Sequence, residues 1–133
     1  MNPTASVTVG MHGTDTVVVR EELTVRHHVP SMPAVYGTPM MIYLMEMASA
    51  NAIHPHLPDG WVSVGAEVNI RHLAATPIGR TVTATGTVTA INERLVTFRV
   101  EAHDGVRLIG EGTHVRGVIN LAKFEERLAR EPR

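Results

Sequence analysis

An α+β fold, with an antiparallel sheet wrapped around one long central helix, is predicted by three features of the sequence. Residues 35–56, "VYGTPMMIYLMEMASANAIHPH", carry apolar side chains around almost the whole circumference of one helix, the pattern of a helix covered on most sides. From Trp61 onward, four segments alternate apolar and polar residues with the period of a half-buried strand. A valine- and threonine-rich segment precedes the helix, and a short amphipathic segment closes the chain. The chain has 133 residues, 44% of them hydrophobic, enough for one compact core and too few for two. Residues 1–133 are therefore expected to form a single domain.

Each element has its own local cause. "TDTVVVR" predicts a strand over 14–20, because β-branched residues suit a pleated backbone. The following segment is expected to be a loop, because Pro30 and Pro33 each remove a donor and restrain the preceding residue. Thr38 then reads as a helix cap with Pro39 at the first helical position, starting a helix over 39–53. Met41, Leu44, Met45, Ala48 and Ala52 recur at helical spacing, while Met40, Ile42, Tyr43 and Met47 fill the other faces. Pro55, Pro58 and Gly60 end it.

In "WVSVGAEVNIRHLA", Val62, Val64, Ala66, Val68 and Ile70 are expected to share one buried face. "TVTATGTVTAI" places threonines on one side and Val82, Ala84, Gly86, Val88 and Ala90 on the other. "RLVTFRVEAH" and "VRLIGEGTHVRGVI" follow as strands, joined through the Asp-Gly pair of "HDG", a hairpin signal. Asn120 caps a closing helix whose stripe is Leu121, Phe124 and Leu128. A strand, a buried helix, four meandering strands and a short helix make the hotdog arrangement. One copy leaves sheet edge and helix surface uncovered, so a homodimer is expected, with pairing of dimers into a tetramer left open.

Charge and composition narrow the function. The net charge is −1 and the pI near 6.7, which offers no overall attraction to nucleic acid or an anionic membrane. With no cysteine, disulfides, a thiolate nucleophile and cysteine-bound zinc are excluded. No secretory signal opens the chain, and no stretch nears the ~18 uninterrupted apolar residues of a membrane span. A soluble, cytoplasmic protein is the expectation.

Three residues stand out chemically. Glu46 is a single carboxylate among methionines: it either reaches solvent or a cation, or acts as a general base or nucleophile. Thr38 is a cap or, since a helix start aims amides and a positive dipole end outward, part of an oxyanion site. His72, at the end of its strand, is a surface residue or a proton carrier. The remaining histidines form no metal pattern: His27 and His28 point apart, His54 and His56 flank a proline, and H-E-x-x-H is absent. "GEG" at 110–112 lies within a strand and does not read as a phosphate loop, G-x-S-x-G is missing, and Trp61 reads as a packing residue at a strand start.

In "GTPMMIYLMEMASANAI", "VGAEVNIRHLAATPIGRTVTATGTV" and "VEAHDGVRLIGEGTHVRGVINLAKFEERL" the sequence resembles the small hotdog acyl-CoA thioesterases of the fluoroacetyl-CoA thioesterase type, over about residues 14–130. The resemblance implies hydrolysis of an acyl-CoA thioester with no cofactor beyond the substrate's own CoA. It implies a catalytic threonine, glutamate and histidine at Thr38, Glu46 and His72, and a substrate-lining glycine at Gly65. It does not carry over the fluorinated substrate, because Tyr36 is the one aromatic residue in "HHVPSMPAVYG".

Eight helical residues rise roughly 12 Å, so Thr38 and Glu46 of one straight helix cannot reach the same thioester carbon. A site built from both chains of a dimer resolves this. Thr38 and the helix start would hold the carbonyl, Glu46 would activate water or attack, and His72 would pass a proton to the thiolate; Thr38 as nucleophile is a further route. Met32, Tyr36, Met40, Met41 and Met45 are candidates to shape the acyl pocket, with core filling the competing role for at least half. Arg71, Arg80 and Arg116 are candidate phosphate ligands. The alternatives are a non-catalytic acyl-CoA binding module and a hotdog hydratase; the hydratase pattern, an aspartate five residues before a histidine, is missing, since Asp15, Asp59 and Asp104 precede Arg20, Val64 and Ile109.

Overall fold

The structure is a computed structural model describing residues 1–133. Five antiparallel strands, β1 (His12–Val18), β2 (Trp61–His72), β3 (Thr81–Asn92), β4 (Leu95–His103) and β5 (Leu108–Asn120), form one sheet in the order β1-β3-β4-β5-β2. The 16-residue helix α2 (Thr38–Ile53) lies on its concave face, and α3 (Leu121–Ala129) follows β5. The segment expected to be a loop instead contains a 3-10 turn at Glu21–Leu23 and one helical turn, α1 (Val25–His28); both precede the two prolines.

Small residues let α2 lie close to the sheet. A side chain at Gly13 would meet the Ala48 carbonyl and the Ala52 amide at 2.5 Å, and one at Gly86 would strike Ser49. Met41, Leu44, Met45 and Ile53 pack on Val82, Val96, Phe98 and Ile109, all buried. Burying side chains of this size contributes about 1.5–3 kcal/mol each. α2 is not covered all round, however: Tyr43 is 60% exposed, and Ile42, Glu46 and Met47 are half-buried. This chain has no element over that side.

β2 departs from the expected alternation. A bulge between Gly65 and Glu67 shifts its register against β5. Ser63 and Gly65 lie opposite Val118 and Arg116 on the helix side, and Val62 and Val64 opposite Ile119 and Gly117 on the outer side. Beyond the bulge, Val68 and Ile70 are opposite His114 and Gly112, on the helix side. The valines expected on one face are therefore divided between two. A second bulge, between Val88 and Ala90, likewise leaves Ala90 exposed while Val82, Ala84, Gly86 and Val88 are buried. β2 pairs with β5 alone, leaving its other edge open.

Asn120 caps α3 as expected, accepting from the Lys123 amide at 3.1 Å. The apolar stripe of α3 is not buried, with Leu121 40% and Leu128 53% exposed. The helix is held by its cap and by a bond from the Leu121 amide to the Gly60 carbonyl, 3.0 Å. No helix is long and apolar enough to cross a membrane.

Candidate active site

Thr38 opens α2, but it is not the cap. Gly37 occupies that position without a side-chain bond, and the Thr38 hydroxyl lies 2.7 Å from His72 Nδ1. Backbone stitching brings the two together. The Gly37 amide donates to the Leu23 carbonyl and the Tyr36 amide to the Thr76 carbonyl, both at 2.9 Å, so the entry to α2 lies against the segment that leaves His72. Pro39 has no N–H, and the amides of Met40 and Met41 bond to the Gly37 carbonyl. That leaves the Thr38 amide as the first-turn donor for an anion.

His72 ends β2 opposite Gly110. Burial pushes its imidazole below the ordinary histidine value, with the Ala74 backbone opposing in part. A neutral ring that accepts the Thr38 proton at Nδ1 carries its own proton on Nε2, and Nε2 is buried without a hydrogen-bond partner in this chain. An open pocket of about 380 Å³ adjoins the pair, walled mainly by Val25, Val35, Tyr36, Leu73 and Ala74. The arrangement is a coupled hydroxyl and imidazole at a helix start, beside apolar space.

Glu46 belongs to a second cluster. Its Oε2 lies 3.5 Å from Arg116 Nη1, and its side chain is 28% exposed against 5% for Arg116. The carboxylate is therefore paired, not isolated among methionines. Arg116 donates through Nε to Ser63 Oγ (2.8 Å) and through Nη2 to the Ser63 carbonyl (2.9 Å), and its Nη1 is 3.1 Å from His114 Nε2. His114 Nδ1 donates to the Glu67 carbonyl at 2.8 Å, so Nε2 is the acceptor for Arg116. Burial, and then Arg116, lower the His114 imidazole and keep it neutral. A buried guanidinium satisfied on three sides thus offers one remaining direction to Glu46. Gly65 makes room: a Cβ there would lie inside contact distance of Glu46 Oε2 and 3.5 Å from His114 Cε1.

The structure therefore joins Thr38 with His72, and Glu46 with Arg116 and Gly65, but does not join the two groups within one chain. They lie roughly 12 Å apart along α2.

The other candidates divide. Arg116 is buried and engaged, so it does not present a free cation to a CoA phosphate. Arg80 is ion-paired with Asp104 at 3.0 Å, and Arg71 is exposed opposite Glu111 on the outer face. Met41 is fully buried, its sulfur where a Gly110 side chain would be, which makes it a core residue. Tyr36 is buried too, with its hydroxyl donating to the Met40 carbonyl at 3.2 Å and pushed up by burial to about 12, yet its ring walls the pocket beside Thr38. Met32 is 46% exposed in the segment leading to Tyr36. No three histidines, aspartates or glutamates come together in a metal-holding group.

Ser63 escaped the sequence reading, and His114 entered it only among the histidines weighed as metal ligands, not as a partner of Arg116. The alternation of His114, Arg116 and Val118 in "THVRGVI" was the available signal. With Val118 inward, a histidine and an arginine must also face the core, and such groups need partners.

Residues 19–122 match the family model of fluoroacetyl-CoA-specific thioesterases. The chain is 42% identical over 126 residues to the fluoroacetyl-CoA thioesterase of Streptantibioticus cattleyicolor, covering 90% of this chain and 91% of that protein. A solved structure of a fluoroacetyl-CoA thioesterase matches with a TM-score of 0.88 at 40% identity, over 96% of this chain and 98% of that one. A thioesterase superfamily member from Thermus thermophilus matches with a TM-score of 0.88 at 30% identity, over 95% and 93% of the two chains.

Proposed function

The chain belongs to the fluoroacetyl-CoA-specific thioesterase family and hydrolyses an acyl-CoA thioester, and we propose that Thr38, His72 and Glu46 carry out that reaction on a short or substituted acyl group. The observation that carries the assignment is the 2.7 Å contact between the Thr38 hydroxyl and His72 Nδ1, at a helix start beside an open apolar pocket. A thioester carbonyl in that pocket directs its oxygen at the Thr38 amide, where negative charge develops during attack. A solved variant of the related fluoroacetyl-CoA thioesterase is in complex with acetyl-CoA, which supports a short acyl-CoA as ligand.

Hydrolysis breaks the C–S bond, adds hydroxyl to the acyl carbon and delivers a proton to sulfur. The neutral His72 takes up a proton from Thr38 or from water and returns it to the departing thiolate. Glu46 supplies the carboxylate that drives attack, by activating water or by adding to the carbonyl as a transient anhydride. Arg116 holds that carboxylate in place. No metal or separate cofactor is needed for these steps.

The two clusters meet through a homodimer. The open edge of β2 pairs antiparallel with its own copy about a two-fold axis between Val68 and Asn69. Gly65 and His72 are equidistant from that axis, so Glu46 of the partner subunit, lodged beside Gly65, comes alongside Thr38 and His72. Support comes from the apolar surface at the axis, where Val68 is 43% exposed with the half-buried Ile42 beside it. Each dimer then holds two sites, each built from both chains. The substrate class implies work in the cytoplasm.

The test is release of free thiol from short, branched, aromatic and halogenated acyl-CoAs by the wild type beside Glu46→Gln. Turnover of at least one short acyl-CoA that collapses in the variant supports the assignment; tight acyl-CoA binding without turnover across the panel overturns it.

A further inference from the structure

A basin lies at the end of the sheet away from Thr38, between the start of β2, the β3–β4 turn and α3. It has a volume of about 360 Å³, and its lining includes Trp61, Arg94, Lys123, Glu126, Arg127 and Arg130. Lys123 and Arg127, four residues apart, share one face of α3, and Arg130 is the residue that caps its C-terminal end. The Arg94 guanidinium lies 4.8 Å from the centroid of the Trp61 ring.

Charge accounting sets this basin apart. The chain has 12 lysines and arginines, of which Arg20, Arg26, Arg80, Arg99 and Arg116 are ion-paired. Four of those left unpaired converge here, against the single acid Glu126. Concentrating unpaired cations in one concavity raises the local potential for a polyanion. A half-buried indole faced by a guanidinium adds a platform that suits a flat aromatic base.

Position supplies the third argument. Trp61, Ser63 and Gly65 alternate along β2 on the helix side, and Glu46 is lodged at Gly65. Four strand residues span roughly 13 Å, a distance that an extended pantetheine arm can bridge from the reacting thioester.

We propose that this basin binds the 3′-phosphoadenosine diphosphate end of the acyl-CoA, with Lys123, Arg127 and Arg130 on the phosphates and Trp61 with Arg94 around the adenine. The assignment rests on the thioesterase reading above. It replaces Arg116 and Arg80, which are engaged elsewhere, as the phosphate ligands, and it gives Trp61 a second role beyond packing. It also makes CoA, not an acyl carrier protein, the carrier recognised, since a concave pocket with an aromatic wall fits a nucleotide.

Two measurements test it. Trp61 is the chain's one tryptophan, so its fluorescence reports on this basin alone: free CoA should change it saturably, and dephospho-CoA should need a higher concentration to do so. In parallel, KM is measured for acetyl-CoA and for acetyl-pantetheine, which lacks the nucleotide, in the wild type and in an Arg94→Glu/Arg127→Glu variant. The KM ratio of acetyl-CoA to acetyl-pantetheine should rise about tenfold or more in the variant, as expected for lost charge-assisted phosphate contacts. An unchanged ratio, or no response of Trp61 to CoA, would overturn the site. Absence of wild-type turnover on both thioesters while CoA still alters Trp61 would overturn the thioesterase reading and leave the nucleotide site standing.

Discussion

Gly65→Ala separates the placement of Glu46 from the integrity of the fold. The added Cβ would fall inside contact distance of Glu46 Oε2, the far end of a flexible side chain, with His114 Cε1 at an ordinary 3.5 Å. Restoring a normal contact of about 3.5 Å needs the carboxylate to move by roughly 1 Å. Rotation about the glutamate side chain absorbs such a shift, so the melting temperature should change little. Catalysis is less forgiving, because a 1 Å misplacement of a reacting group costs about 10²-fold in rate. Gly13→Ala is the control. There the new atom meets the Ala48 carbonyl and Ala52 amide at 2.5 Å, backbone that cannot step aside, so the expected loss is in stability. Thiol release from acetyl-CoA and thermal unfolding on both variants check the pair. A Gly65→Ala enzyme with wild-type kcat, or one that loses activity only as it loses stability, would refute the reasoning.

His72→Gln should lower kcat by about 10²–10⁴-fold, the usual contribution of a general base, with unfolding little affected. Because burial lowers the His72 imidazole below its ordinary value of 6.5, the base form is already present at neutral pH. The wild-type rate should be flat from there upward through the histidine range and fall only on the acid side; a fall centred above 6.5 would contradict this. For Asp104, burial alone would raise the carboxyl, but the amides of Arg107 and Val106, the Thr76 hydroxyl and Arg80 together hold it well below the usual carboxylate range. A depressed folded value contributes stability that is present above the unfolded value of 3.8 and lost as pH falls through the folded one. Asp104→Ala should therefore cost about 2–3 kcal/mol at neutral pH through its lost charged hydrogen bonds. In chemical denaturation, that gap should narrow once the pH drops below the unfolded value.

The order of elements was legible because each was written locally: alternation in the four later strands, breakers around α2, Asn120 ahead of α3. Thr38 and His72 were legible as chemical types at the ends of elements, but their contact depends on stitching among Leu23, Tyr36 and Thr76 that no local pattern encodes. The bulge at Gly65 has the glycine as its only local trace, so the division of Val62 and Val64 from Val68 and Ile70 could not be read by counting alternate positions. α2 misled for a different reason. Its apolar circumference reports everything that covers the helix, and Tyr43 is not covered by this chain. Glu46 and Arg116 are 70 residues apart in sequence, yet the inward alternation of His114 and Arg116 required a partner of the kind Glu46 provides.

The central claim, that each site takes Thr38 and His72 from one chain and Glu46 from the other, is tested most directly by a mixed dimer. Thr38→Ala and Glu46→Gln chains, each inactive alone, are co-expressed with different tags and the heterodimer is isolated. One of its two sites then combines Thr38 and His72 of the Glu46→Gln chain with the intact Glu46 of the Thr38→Ala chain. Thiol release should recover to about half the wild-type rate per dimer. A heterodimer as inactive as its parents would show that both groups must come from one chain, and would contradict the shared site.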